Sequence, residues 1–106
     1  MKTLTLSLKK KWYDMIASGE KTEEYRELTP YWRKRLCHLV WKDVDKYYQI
    51  RHFNAVTFTL GYPKKDDMSR RMTFKTNGIH IGTGKPEWGA EDGKKYFVIK
   101  LGGRIK

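Results

Sequence analysis

With 106 residues the chain is long enough for one domain with a modest core and too short for two independently stable ones. The 23 Lys and Arg against 12 Asp and Glu leave a net charge of +11, a positive field over much of so small a body, and an aromatic share of 14% argues against disorder. No apolar run nears the roughly 20 residues that cross a bilayer, no signal-peptide core is visible, and the single Cys37 excludes an intrachain disulfide, so a cytoplasmic protein with an anionic partner and no membrane is expected.

Leu4, Leu6 and Leu8 alternate with Thr3, Thr5 and Ser7, the period of two that marks a half-buried strand. Leu8, Trp12, Met15 and Ile16 then fall at i, i+4, i+7 and i+8 ahead of Gly19, which predicts a short amphipathic helix stopped by a glycine. From Lys21 to Glu27 the only large apolar side chain is Tyr25, so this segment reads as an exposed edge strand or as the wall of a polar cleft. Thr29-Pro30 reads as an N-cap and first helical residue, and Trp32, Leu36, Leu39 and Val40 share one face of the helix predicted to follow. Residues 42–53 mix charges with Val44, Tyr47, Tyr48 and Ile50 and fit either a helical extension or an ordered loop.

Val56, Phe58 and Leu60 alternate with Thr57 and Thr59, and Met72 and Phe74 alternate with Thr73 and Lys75 beyond a polar loop at 64–69, which predicts a hairpin. Asn77-Gly78 fits a tight turn, which Asn-Gly by itself favours, or a bulge in one long bent strand running on through Ile79-His80-Ile81. The glycine-rich connection 82–94 has no strong period, and in a last strand from Tyr96 to Leu101 the side chains of Phe97, Ile99 and Leu101 share a face. The layout is α+β: a single domain over 1–106, a mostly antiparallel sheet curled into a small barrel, and two helices in the N-terminal half.

The segment Gly19-Glu20-Lys21-Thr22-Glu23-Glu24-Tyr25-Arg26 packs a cation, several carboxylates and a second cation behind a helix-ending glycine. If it is extended, Thr22, Glu24 and Arg26 lie on one side and Glu23 and Tyr25 on the other, so Glu24 and Arg26 can pair. Such a carboxylate can accept an exocyclic amine or a 2′-hydroxyl or polarise a water, and Lys21 can contact phosphate or act on a carbonyl carbon. A solvated, charged edge strand is the alternative.

Lys9, Lys10 and Lys11 crowd the start of the first helix, and Arg33, Lys34 and Arg35 fall in the early turns of the second, where the helix dipole disfavours cations. That placement suits a nucleic-acid backbone passing both helices, or these are simply solvated faces. Lys64, Lys65, Arg70 and Arg71 read as residues that keep a hairpin soluble, Trp12 and Trp32 as core, and Trp88 as either a plug of the barrel end or a stacking surface. His38, His52, His80 and Cys37 show no metal-ligand spacing, and Gly82-Thr83-Gly84 is neither a Walker nor a Rossmann loop, so neither metal nor cofactor is expected.

Gly19, Lys21, Glu24 and Arg26 occupy the four positions of the G-x-K-x-x-E-x-R motif, and with it the chain resembles ASCH domains of small bacterial and phage proteins. The similarity extends to Thr29-Pro30-Tyr31-Trp32, Ile79-His80-Ile81-Gly82, Gly84-Lys85-Pro86-Glu87-Trp88-Gly89 and Tyr96-Phe97-Val98-Ile99-Lys100-Leu101. The resemblance implies a PUA-like β-barrel with two helices at its rim and the motif in a cleft for RNA or nucleotides, and it favours the long bent strand over an Asn77-Gly78 turn. One branch of the family hydrolyses the acyl amide of N4-acetylcytidine with a lysine and a threonine of this motif and a later glutamate. Lys21 matches that lysine, whereas Glu24 stands at the threonine position and the later glutamate has no mapped counterpart. Another branch is associated with RNA cleavage.

The expected function is therefore binding of RNA, a nucleotide or a nucleoside through Gly19, Lys21, Glu24, Arg26 and Trp88. The alternative is a hydrolase acting on a modified nucleoside of the N4-acylcytidine type or on RNA, with Lys21 and Glu24 catalytic. A protein-interaction module for an acidic partner is a third class, which accounts for the charge but not for the motif.

Overall fold

The computed structural model describes residues 2–106. The alternating start forms β1 (Thr3–Leu8) with its three leucines buried, and the amphipathic segment after it forms α1 (Lys10–Ala17), whose Ile16 is buried. Gly19, at φ +84°, ends that helix, and the chain enters β2 (Glu23–Glu27). Thr29 caps α2 (Pro30–Leu36) by accepting from the Trp32 amide at 3.3 Å, with Pro30 in the first turn. There follow β3 (Cys37–Lys42), β4 (Asp45–Ile50), β5 (Ala55–Leu60), β6 (Arg71–Thr83) and β7 (Lys95–Arg104), with 3₁₀ turns at Met68–Arg70 and Pro86–Trp88.

Five strands make one sheet in the order β1-β5-β6-β7-β2, curled into a half-barrel. Three of its four pairings are antiparallel, and β1 with β5 is parallel. A parallel pair requires a long crossover, and here it contains α1, β2, α2 and the β3–β4 hairpin. The fold is thus α+β with a mostly antiparallel sheet. The curl is open, with β1 and β2 as its two edges.

The expected hairpin is β5–β6, where Val56 faces Phe74 and Phe58 faces Met72. Asn77-Gly78 is not a turn: β6 runs straight through it, and its register against β7 shifts between Phe74 and Thr76 and again between Thr76 and Ile79. Gly78 at φ +102° supplies the backbone conformation that lets a 13-residue strand bend there.

β7 lies between β6 and β2 and is buried on both faces. Phe97 and Ile99 join Leu4, Leu6, Leu8, Val56, Phe58, Met72 and Phe74 in the main core, while Tyr96 and Val98 face a second cluster with Tyr25, Trp88 and Ala90. Two covered faces explain the unbroken apolar run from Tyr96 to Ile99.

Helix α2 is shorter than its periodicity suggested. It stops at Leu36, and Leu39 and Val40 belong to β3, opposite Tyr48 and Tyr47 of β4. Residues 42–53 are accordingly not a helical extension and not chiefly a loop: β3 and β4 form a two-stranded ribbon outside the main sheet, with Asp43 at φ 57° in its two-residue turn. Val40, Trp41, Tyr47, Tyr48 and Ile50 are β-branched or aromatic, and cross-strand pairing of such side chains outweighs a helical i, i+3, i+4 coincidence. Among the described residues no helix is long and apolar enough to cross a membrane.

A candidate ligand cleft between the two sheet edges

The half-barrel leaves a gap between β1 and β2, and a cleft of about 860 Å³ occupies it, walled by residues of both edges, by α1 and α2, and by the Pro86–Trp88 turn. On β1 the Lys2 and Leu8 carbonyls accept from Asn54 and Gly61 on the β5 side. Alternation therefore turns the Thr5 and Ser7 carbonyls toward the open edge. Arg26 Nη2 donates to the Ser7 oxygen at 3.0 Å and Arg35 Nη2 to that of Thr5 at 3.5 Å, so two guanidiniums cover an otherwise unpaired strand edge.

The floor of the cleft is the charged motif. Behind the left-handed turn at Gly19, the Lys21 amide donates to the Met15 carbonyl at 3.0 Å and the side chain turns inward until it is 2% exposed. Its Nζ lies 2.9 Å from Glu24 Oε1, donates to the Trp88 carbonyl at 2.7 Å, and sits 4.3 Å from the Trp12 ring centre. Glu24 is equally buried, and its Oε2 accepts from Arg26 Nη1 at 2.6 Å. The alternation expected of an extended segment holds, with Glu24 and Arg26 on one side and Tyr25 hydrogen-bonded to Glu23 on the other.

One carboxylate between two cations leaves this cluster with one net positive charge, and only Arg26, at 17% side-chain exposure, reaches the open space. Its guanidinium lies 5.1 Å from the Trp32 ring centre. Among the described residues the Nε–H groups of Arg26 and Arg71, both lining the cleft, are buried without a hydrogen-bond partner. Such donors are rare and suit an acceptor brought by a ligand. Burial pushes the Lys21 ammonium below the usual lysine range against the opposing pull of Glu24, and pushes the Tyr25 phenol up to about 12.

The structure redistributes the other sequence candidates. Gly19 does not line the cleft; it shapes the turn that aims Lys21. Trp88 is buried at 8% exposure and packs with Tyr25 and Tyr96, so it plugs the barrel end and presents a backbone carbonyl, not a free ring face, to Lys21. Trp12 and Trp32, expected in the core, are half-buried and both line the cleft, while Trp32 also packs against the main core. Arg71 and Tyr62 also line it, the former donating to the Lys64 carbonyl at 3.1 Å. Sequence reasoning took Arg71 for a solubilising residue; its position opposite Thr59, itself a cleft residue, follows from the β5–β6 register and could have been read from it.

The six basic residues proposed to steer one backbone do not form one track. Arg33, Lys34 and Arg35 lie in the last turn of a seven-residue helix, where the dipole favours cations, so the argument from an unfavourable placement fails for α2. Arg35 faces the cleft, while Arg33 and Lys34 face a separate groove on the other side of α2. Lys9 and Lys10 line a shallow depression adjoining the cleft at Trp12 and Arg26, Lys10 is paired with Asp14 at 2.5 Å, and Lys11 Nζ lies 4.7 Å from the Trp12 ring centre.

The cleft can therefore offer guanidinium N–H groups to acceptors and receive negative charge beside Arg26 and Arg35, which both lie over the Trp32 ring, with Glu27 and Glu91 elsewhere in its lining. Among the described residues no three His, Cys, Asp or Glu side chains are gathered to hold a metal ion. No protein-family model, no curated protein and no solved structure matches the chain.

Proposed function

We propose that the protein is an ASCH-type, PUA-like domain that binds RNA or a nucleotide in the cleft between β1 and β2. The observation that carries this reading is the buried Lys21–Glu24–Arg26 cluster, net positive, with the Arg26 guanidinium over the Trp32 ring and one of its N–H groups without a partner among the described residues. Each motif position has a distinct part in it: Gly19 turns the chain, Lys21 and Glu24 are held inside, and Arg26 meets the ligand. A nucleotide supplies what these groups match, namely a base ring beside the Trp32–Arg26 pair, acceptors for Arg26 and Arg71, and phosphate for Arg35.

The same geometry favours binding over amide hydrolysis of an N4-acylcytidine. Lys21 is held by Glu24, the Trp88 carbonyl and the Trp12 face, and at 2% exposure it has no open approach to a carbonyl carbon. Its depressed proton affinity is what burial imposes on any lysine and does not by itself make a nucleophile.

Titration of the protein with AMP, CMP and a short single-stranded RNA, followed by tryptophan fluorescence, tests the reading. Arg26→Lys keeps the charge beside Glu24 but removes the planar fork, and is expected to weaken binding roughly tenfold or more, about 1.4 kcal/mol. Affinities unchanged in Arg26→Lys and in Arg35→Ala, with circular dichroism unaltered, would place the ligand elsewhere and overturn the proposal.

A further inference from the structure

The β3–β4 ribbon is not accounted for by the cleft. It pairs with no strand of the main sheet, yet it carries Leu39, Trp41, Tyr47 and Tyr48 at 43%, 65%, 48% and 56% exposure. A two-stranded ribbon has little stability of its own, and exposed rings on it contribute nothing to the core. Single exposed apolar side chains are ordinary; here Leu39, Trp41 and Tyr48 share one face of a projecting ribbon, with Tyr47 on the other, the kind of grouping that marks an interaction surface.

Charge defines what that surface takes. Between the ribbon and α2 runs a groove of about 710 Å³ that contains Arg33, Lys34 and Arg51 and no carboxylate, over a floor that includes Leu39 and Tyr48. Cations also lie over the ribbon's rings: the Arg33 guanidinium is 5.3 Å from the Tyr48 ring centre, and Lys46 Nζ is 5.4 Å from that of Trp41. Ring faces beside cations are the combination that binds unpaired nucleic acid, with bases stacking and phosphates neutralised. The groove also has aliphatic lining in Leu28, Pro30 and Leu39, but three cations without a carboxylate favour a polyanion over an apolar peptide segment.

Position links the two surfaces. Helix α2 turns Tyr31, Trp32 and Arg35 to the cleft and Pro30, Arg33 and Lys34 to the groove, so one short helix is the wall between them. We infer that the ligand is an unpaired polynucleotide that leaves the cleft across α2 and lies along the β3–β4 ribbon, which is a second nucleic-acid-binding surface. The inference rests on the nucleotide reading of the cleft and narrows it from a free nucleotide to a chain.

The experiment compares AMP with a single-stranded RNA of about 12 nucleotides, within the usual site size of such modules, and with DNA of the same sequence, single-stranded and duplex. Trp41→Ala combined with Tyr48→Ala is expected to weaken the single-stranded oligomer at least roughly tenfold and to leave AMP unchanged, since the stacked bases lose their ring partners. Trp41→Tyr combined with Tyr48→Phe keeps the rings and is expected to restore binding, which a merely unfolded ribbon would not allow. RNA bound more tightly than the DNA strand assigns the sugar as a further contact, equal affinities assign phosphate and base alone, and both support the inference. Preference for the duplex overturns it. So does an oligomer affinity indifferent to the ribbon variants: if Arg26→Lys still weakens AMP and oligomer together, the cleft reading stands and the ribbon inference alone fails. If ribbon variants abolish oligomer binding while Arg26→Lys changes nothing, the cleft reading fails and takes with it the path from cleft to ribbon, which overturns the inference as stated. A poly-glutamate peptide bound in place of every nucleic acid overturns both.

Discussion

Lys21 and Glu24 are charged residues with almost no access to water, and they are tolerable only as a pair. Removing Glu24 would leave a buried ammonium without its partner, at a cost of about 3–5 kcal/mol, which is why Arg26 and not Glu24 is the residue through which binding is tested. Tyr25, between them in sequence, donates to Glu23 Oε1 at 2.9 Å and accepts from the Lys85 amide at 3.0 Å. Its phenol, raised by burial from 10.0 to about 12, stays protonated in the fold where the unfolded chain has ionised. The unfolded state then binds fewer protons than the native one, so stability is full below pH 10 and falls as pH rises toward 12. Chemical denaturation of the wild type and Tyr25→Phe across that window is expected to show their stability difference shrinking by up to about 3 kcal/mol, the other titrations being common to both. A constant difference would mean that the phenol is not desolvated as described.

At the scale of elements, two glycines of β-strand and loop regions give opposite expectations. A Cβ on Gly84 would lie 2.6 Å from the Tyr25 ring and 2.8 Å from the Ala90 Cβ, whereas one on Gly103 meets nothing within 4 Å. Gly84→Ala is expected to destabilise by about 1–3 kcal/mol in urea unfolding through overpacking of the second core, and Gly103→Ala to stay within about 0.5 kcal/mol. The elements differ in how visible they are for a related reason. β1 buries one alternating face against the main core, and β5 puts Val56 and Phe58 on that core, so both are legible from their residues, although β5 also buries Ala55 and Thr59 and leaves Leu60 half-buried. The ribbon hid because most of it is exposed on both faces, which leaves no alternation to find. The spacing of Leu36, Leu39 and Val40 then mimicked a helix that had already ended.

For the molecule as a whole, a charge of +11 attracts any polyanion, so affinity alone says little about the site. Salt dependence is more telling. The logarithm of the binding constant for single-stranded RNA is expected to fall against the logarithm of salt by roughly 0.7 per phosphate neutralised. Arg35→Ala should flatten that slope by about 0.7, while Lys10→Ala should leave it nearly unchanged because Asp14 already pairs that ammonium. A salt-independent affinity, or equal slopes for all three proteins, would remove phosphate from the contacts assigned to the cleft rim.

The sequence by itself determined the elements that answer to local rules: leucines at period two, the glycine that ends α1, the Thr29-Pro30 start of α2, and the pairing of Glu24 with Arg26 on one side of a strand. These depend on neighbours a few residues apart. Only the tertiary structure decided that the sheet stays open, that Trp12 and Trp32 stand at its gap, that Arg26 reaches across to Ser7, and that the basic run of α2 divides between two surfaces. Those outcomes follow from which strands meet over long separations, and residues that line the space between two sheet edges carry no common period along the chain.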